Sequence, residues 1–140
     1  MFTGYVKQPL DIAFLADSSA SVNWNNTLTF VKGIIDALDI STKTGHVAFM
    51  SYASKASLGF DFSTHGSNGH SKSAAAQLIS GIKQLVGDRR DVNQGFDMAG
   101  YIFRAKAGAR DEARKVCDDS VLGGQVFKCW VCWSLHLRGT

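Results

Sequence analysis

Residues 10–16, Leu10-Asp11-Ile12-Ala13-Phe14-Leu15-Ala16, form an apolar run broken only by Asp11. A segment apolar on both faces predicts a central parallel strand covered on both sides. Beyond it Trp24, Leu28, Val31, Ile35 and Leu38 recur at three- and four-residue steps, and Ile34 widens the stripe. This spacing predicts an amphipathic helix over about 23–38, capped by Ser21 or Asn23, with Trp24 as a packing residue. Thr44-Gly45 is turn material, and 47–53 reads as the next strand. Leu58, Phe60 and Phe62 alternate with Gly59 and Asp61, which predicts a half-exposed edge strand. The short link at 54–56 makes it an antiparallel hairpin partner of the strand before it. A polar loop at 63–71 follows, and Ala75, Leu78, Ile79, Ile82 and Leu85 mark a second helix. A charged loop at 87–92 precedes a third helix over about 93–107, with Phe96, Ala99, Ile102 and Phe103 on one face. Strand, helix, hairpin, helix, helix predicts an α/β sandwich with a mostly parallel sheet and one antiparallel edge strand.

The 140 residues suffice for one domain with a real core, and an apolar fraction of 45% with 19% charged residues argues against disorder. The net charge of +3 is mild, and basic residues are interspersed with acids, which is no nucleic-acid footprint. No apolar stretch approaches the roughly 20 residues of a membrane span. The first seven residues lack the plan of a secretory signal.

The chemistry gathers where the first strand ends. Asp17, Ser19 and Ser21 put one carboxylate and two hydroxyls, two residues apart, in the loop beyond the carboxyl end of a buried strand. Ligands bind at that place in open α/β sheets. An oxygen-only set suits a hard divalent cation such as Mg2+, held at about 2.0–2.1 Å with waters completing the octahedron. Asp and Ser also gather before helices simply to cap them. No Ser-His-Asp or Cys-His arrangement is readable from the dispersed His46, His65, His70 and His136. Asp88-Arg89-Arg90-Asp91 reads as a solvated charged turn, with partner contact as the lesser alternative. Cys129-Trp130-Val131-Cys132 is a lone Cys-x-x-Cys: structural or accidental cysteines, a zinc site with Cys117 and His136, or a redox motif.

The order of motifs resembles the von Willebrand factor type A family, also called the integrin inserted-domain family. That family runs a hydrophobic strand into Asp-x-Ser-x-Ser, then a long helix, a Val-Gly-x-x-x-Tyr-Ser strand, an antiparallel edge strand and a Gly-x-Thr-Asn-Thr-Gly-like loop. Here the matching places are Asp17 to Ser21, the Trp24 helix, 47–54, 58–62 and Asp91-Val92-Asn93-Gln94-Gly95. Residues 109–116 look like the family's Arg-x-x-x-x-Lys-Val lead-in to its next central strand. The resemblance implies a three-layer α/β/α, Rossmann-like sandwich over 9–116. An N-terminal segment (1–8) precedes it, and a divergent tail (117–140), with one substitute strand as an option, follows. It also implies a sandwich incomplete at its C-terminal end, because Cys117-Asp118-Asp119-Ser120 replaces the family's apolar strand ending Thr-Asp-Gly.

The resemblance further implies a metal site at Asp17, Ser19 and Ser21. Its second loop offers Asp91 where the family has a threonine, since Val92 has no side-chain oxygen. Mg2+, or Mn2+ or Ca2+, is the expected ion, bound weakly or not at all without the missing aspartate. In the family such an ion takes a carboxylate from an extracellular protein partner. The implied role is therefore adhesion in secreted, extracellular matrix, not turnover, with the signal peptide absent from this chain. The alternatives are an intracellular scaffold or chelatase-type copy of the fold, and a truncated product without binding activity.

Overall fold

The computed structural model describes residues 9–63, 71–104, 108–110 and 113–120, with 114–120 as backbone only. The predicted central strand is there: β1 (Leu10–Asp17) is flanked by parallel neighbours β2 (Gly45–Tyr52) and β4 (Arg114–Ser120), and β3 (Ala56–Phe60) pairs antiparallel with β2. Among the described residues the strand order β3-β2-β1-β4 puts β1 and β2 in the interior of a four-stranded sheet. Both are buried along almost their whole length, which is why their sequences lack the alternation of a half-exposed strand.

Successive side chains face opposite sides of the sheet. Ile12, Phe14 and Ala16 of β1 and Val47 and Phe49 of β2 meet Trp24, Leu28, Val31 and Ile35 of α1 (Trp24–Ala37) and Ala75 and Ile79 of α2 (Lys72–Ser80). Ala13, Leu15, Ala48, Met50 and Tyr52 face the other way, onto Ala99 and Ile102 of α3 (Val92–Ile102). Helices on both faces make the three-layer sandwich that the resemblance implied. Gly95 lets α3 sit close: a Cβ there would lie 2.7 Å from the Leu15 side chain and 3.1 Å from Tyr52.

Asn23 caps α1, its side chain accepting the Asn26 N–H at 3.2 Å. Trp24 is buried and donates its indole N–H to Ile82 O at 3.0 Å, so it packs as expected. The predicted edge strand is shifted: pairing covers Ala56–Phe60, while Phe62 leaves the ladder and buries against Phe103 on the α3 side. The second helix is shorter than its apolar spacing suggested. It ends at Ser80, where Gly81 donates to Leu78 O. Ile82 still packs on the core, but Leu85 is exposed, because 84–86 are drawn out to bond the loop after β1. The third helix also stops early, at Ile102, with Phe103 as its C-cap. Gly108, at φ +88°, then makes a turn tight enough that a Cβ would lie 2.6 Å from Ser63 N.

β4 pairs with β1 from Arg114 through Ser120, so the expected boundary at 116 falls inside a strand. Cys117 lies opposite Ala13. Cys129, Cys132, His136, the N-terminal segment, most of the polar loop and the expected substitute strand all lie outside the described residues.

Two arginines from the second half of the chain reach the two ends of β1. At its start the fully buried Asp11 is clamped by Arg110: the Arg110 backbone N–H reaches Oδ2 at 2.7 Å, and Nε and Nη2 reach Oδ1 at 3.0 and 2.8 Å. The same Nη2 donates to Thr44 O at 2.7 Å and Leu10 O at 3.3 Å. This clamp ties the lead-in to β4 to both interior strands. The second arginine belongs to the site.

Candidate functional site

Asp17 is the last residue of β1 and is 1% exposed. Its Oδ1 accepts the Ser19 N–H at 2.9 Å, an Asx-type turn that folds the chain back over the carboxylate. Val22 N–H then bonds Ser19 O at 3.1 Å, and α1 starts two residues later. The turn aims Ser19 and Ser21 the same way, with their hydroxyl oxygens 3.4 Å apart. Ser18 points elsewhere, accepting the Leu85 N–H at 2.6 Å. Alternation along this loop therefore sorts its oxygens: Asp17, Ser19 and Ser21 share one cradle, and Ser18 anchors the neighbouring segment.

That segment, residues 84–90, is strapped across the loop. Gln84 Nε2 donates to Ser19 O at 2.8 Å and Val22 O at 3.2 Å, Val86 N–H bonds Ser18 O at 3.0 Å, and Ala20 N–H bonds Gly87 O at 3.0 Å. Gly87 is pressed on the end of β2, where a Cβ would lie 2.6 Å from that of Ala53. Asp88 accepts from Ser54 Oγ at 3.2 Å, and Asp91 N–H bonds Ala53 O at 2.8 Å. The strap holds Val86 at φ +55°, a left-handed conformation that costs a β-branched residue about 1–2 kcal/mol. Val86 is 62% exposed, so its side chain recovers little of that cost by packing. Val86→Gly should therefore stabilise the fold by up to about 1 kcal/mol, after allowing for glycine's entropy. A urea midpoint that falls instead would show the side chain to be an anchor.

The strap also delivers a charge. Arg90 Nε lies 2.9 Å from Asp17 Oδ2 and donates its hydrogen to Ser19 Oγ at 3.2 Å, while Nη2 donates to Ser21 Oγ at 2.6 Å. One guanidinium thus touches all three cradle side chains. The Asp17 Oδ2 contact is an ion pair by distance, but the Nε hydrogen is spent on the serine. That buried oxygen accepts no hydrogen bond from the described residues. Arg90 is thus an exposed turn residue, as its sequence context suggested, with half its side chain (51%) open to solvent, and it also reaches into the cradle.

Of the residues expected at the site, Asp17, Ser19 and Ser21 are brought together. Asp91 sits at the N-terminus of α3, where its carboxylate makes no capping bond; from this loop the side chain that enters the cradle is Arg90, one residue earlier. Sequence reasoning missed Ser18, Gln84 and Arg90. Their only signal was an extra serine between the motif positions and an arginine pair before a helix, and both patterns are common on surfaces. Among the described residues no three His, Cys, Asp or Glu side chains cluster, and the cradle brings together one carboxylate and two hydroxyls.

A family model for the von Willebrand factor type A domain matches residues 11–117. The chain belongs to this family. The type A domain is 38% identical to matrilin-3 of Mus musculus over 74 residues, 51% of this chain and 15% of that protein. It is 30% identical to matrilin-3 of Homo sapiens over 112 residues, 78% of this chain and 22% of that one. The chain thus spans well under a third of these relatives. Among solved structures, proximal thread matrix protein 1 from the mussel byssus superposes with a TM-score of 0.76 at 14% identity, over 95% of this chain and 36% of that one. The same protein with a zinc-occupied MIDAS motif gives 0.74 at 15%, over the same shares of the two chains. Manganese-loaded Plasmodium vivax TRAP gives 0.64 at 16% identity, over 79% of this chain and 45% of that one. At such identities these structures speak for the fold alone.

The cradle passes one test as a divalent-cation seat and meets an obstacle at a second. Its donors are hard oxygens, and the buried Asp17 Oδ2 accepts no directed hydrogen bond from the described residues that an ion would have to displace. The guanidinium, however, already lies against the same three side chains.

Proposed function

We propose that this type A domain is a protein-binding module of a secreted matrix or adhesion protein. In this reading Asp17, Ser19 and Ser21 hold a divalent cation, Mg2+ or Mn2+, at the rim of the sheet, with Asp91 of the neighbouring loop as a further candidate ligand. Bound there, a hard cation neutralised by a single carboxylate keeps positive charge and an open position for an acidic side chain of a partner protein. The chain's own work is to orient: β1 fixes Asp17, the Asx turn aligns the serines, and the strap limits how far the loop can move. No step needs bond making or breaking, so the module is read as a binder and not an enzyme.

The observation that carries this reading is the convergence of Asp17, Ser19 and Ser21 on one positive group. Membership in the type A family and likeness to matrilin-3 support it, as do metal-bearing neighbours of the same fold. Calorimetric titration of the chain with Mn2+ and Mg2+ should give weak binding, on the order of 10⁻⁴–10⁻³ M, as expected from so few charged ligands. Asp17→Ala should abolish the heat. Identical titrations of the two proteins would end the metal reading.

A further inference from the structure

We infer that Arg90 is the resident cation of the cradle, and that a divalent ion binds only by displacing its guanidinium. This rests on the metal reading above and adds what sets its affinity. The contacts are specific to one group: Arg90 meets the Asp17 carboxylate at 2.9 Å and the two hydroxyls at 3.2 and 2.6 Å. A cation such as Mg2+ sits about 2.0–2.1 Å from its ligand oxygens. Those oxygens cannot face a small ion at that range and a planar guanidinium at hydrogen-bond range from the same side. Like charge adds to the exclusion.

The geometry also shows what can move. The Arg90 backbone is held on both sides, by Gly87 O to Ala20 and by Asp91 N–H to Ala53 O, while Asp88 is tied to Ser54. The side chain has more freedom: it is 51% exposed, and among the described residues its contacts are the ion pair with Asp17 and the hydrogen bonds from Nε and Nη2 to two hydroxyls. It can swing to solvent without the strap leaving the loop. Two states follow: a closed one, in which arginine neutralises the buried Asp17, and an open one, in which the carboxylate needs another cation. The apparent affinity for a divalent ion is then the intrinsic affinity reduced by the open fraction. Partner carboxylates would meet a neutral Asp17–Arg90 pair in the closed state and a net positive centre in the metal-bound state. Arg90 thus decides when the surface attracts an acidic partner.

The test uses four proteins: the unaltered chain, Arg90→Met, Asp17→Ala and the double variant, each titrated with Mn2+ by calorimetry. Methionine keeps the apolar stem and removes the charge. Binding to Arg90→Met should be about tenfold tighter or more, for a closed state favoured by a factor of ten or more, and should vanish in the double variant. Equal or weaker binding by Arg90→Met, still dependent on Asp17, would overturn the displacement and leave the metal reading standing. Asp17-independent or absent binding in all four would remove the metal reading, and this inference with it. Should Arg90→Met fail to fold, the unaltered chain decides. Its Arg90 Nε–H resonance should move toward the free-arginine position as Mg2+ is added, and a signal unchanged at saturating Mg2+ would overturn the proposal.

Discussion

Arg110→Ala should destabilise the fold by about 3–5 kcal/mol, the usual cost of removing one partner of a buried ion pair. Asp11 is fully buried and Arg110 is 15% exposed, so solvent cannot take over the role of the lost guanidinium. The variant keeps the Arg110 backbone N–H to Oδ2, but loses both bonds to Oδ1 and those to Thr44 O and Leu10 O. Lysine should not rescue it, since a single ammonium cannot reproduce a bidentate grip that also reaches two carbonyls. The double variant Asp11→Leu/Arg110→Met should recover most of the loss, because desolvating the charges is itself costly and a well-packed apolar pair avoids that. Urea unfolding of the parent, Asp11→Leu, Arg110→Met and their double variant closes a double-mutant cycle and measures the coupling. An Arg110→Ala midpoint within about 1 kcal/mol of the parent would show the clamp to be incidental. A loss of that size matters in a domain whose whole stability is about 5–15 kcal/mol.

Phe49→Ala should cost about 3–5 kcal/mol through a cavity on the α1 and α2 side of the sheet. Phe49 is fully buried at the centre of β2. Its ring meets Trp24 edge-on at 6.2 Å and stacks on Phe60 at 6.4 Å, geometries that add to simple burial. The consequence reaches the site, because Trp24 also donates to Ile82 O just before the strap. A loosened indole frees the start of the segment that carries Arg90. Phe30→Ala is the control: at 36% exposure on the same helix as Trp24, it should stay within about 0.5 kcal/mol of the parent. Comparable thermal midpoints for the two variants would refute the core assignment.

The polarity pattern laid out most of the architecture, and its errors have physical causes. The 10–16 run, the stripe from Trp24 to Ile35 and the strand at 47–53 are each specified by residues within a few positions of one another, so local burial demand reads directly. Ile82 and Leu85 continue a helical spacing and so predict a longer second helix than the one that ends at Ser80. What ends it is Gly81 together with hydrogen bonds from Gln84, Leu85 and Val86 to a loop more than sixty residues earlier. Nothing local to residues 82–86 announces those partners. Asp88, Arg89 and Arg90 are exposed, as a charged turn predicts; what the tetrad does not announce is that the fold lays it across the end of β1, where Arg90 reaches Asp17.

By itself the order of residues determined the sandwich, the place of β1 in its middle, and a carboxylate with two hydroxyls at its rim. These are properties of short segments: which side chains are apolar, and how far apart they stand. Tertiary structure alone decided what those charges face. Asp11 and Asp17 lie six residues apart on one strand, about 20 Å along it, and each meets an arginine supplied from at least seventy residues downstream. A buried carboxylate requires a counter-charge, but electrostatics acts through space, and only the folded chain brings Arg110 to one and Arg90 to the other.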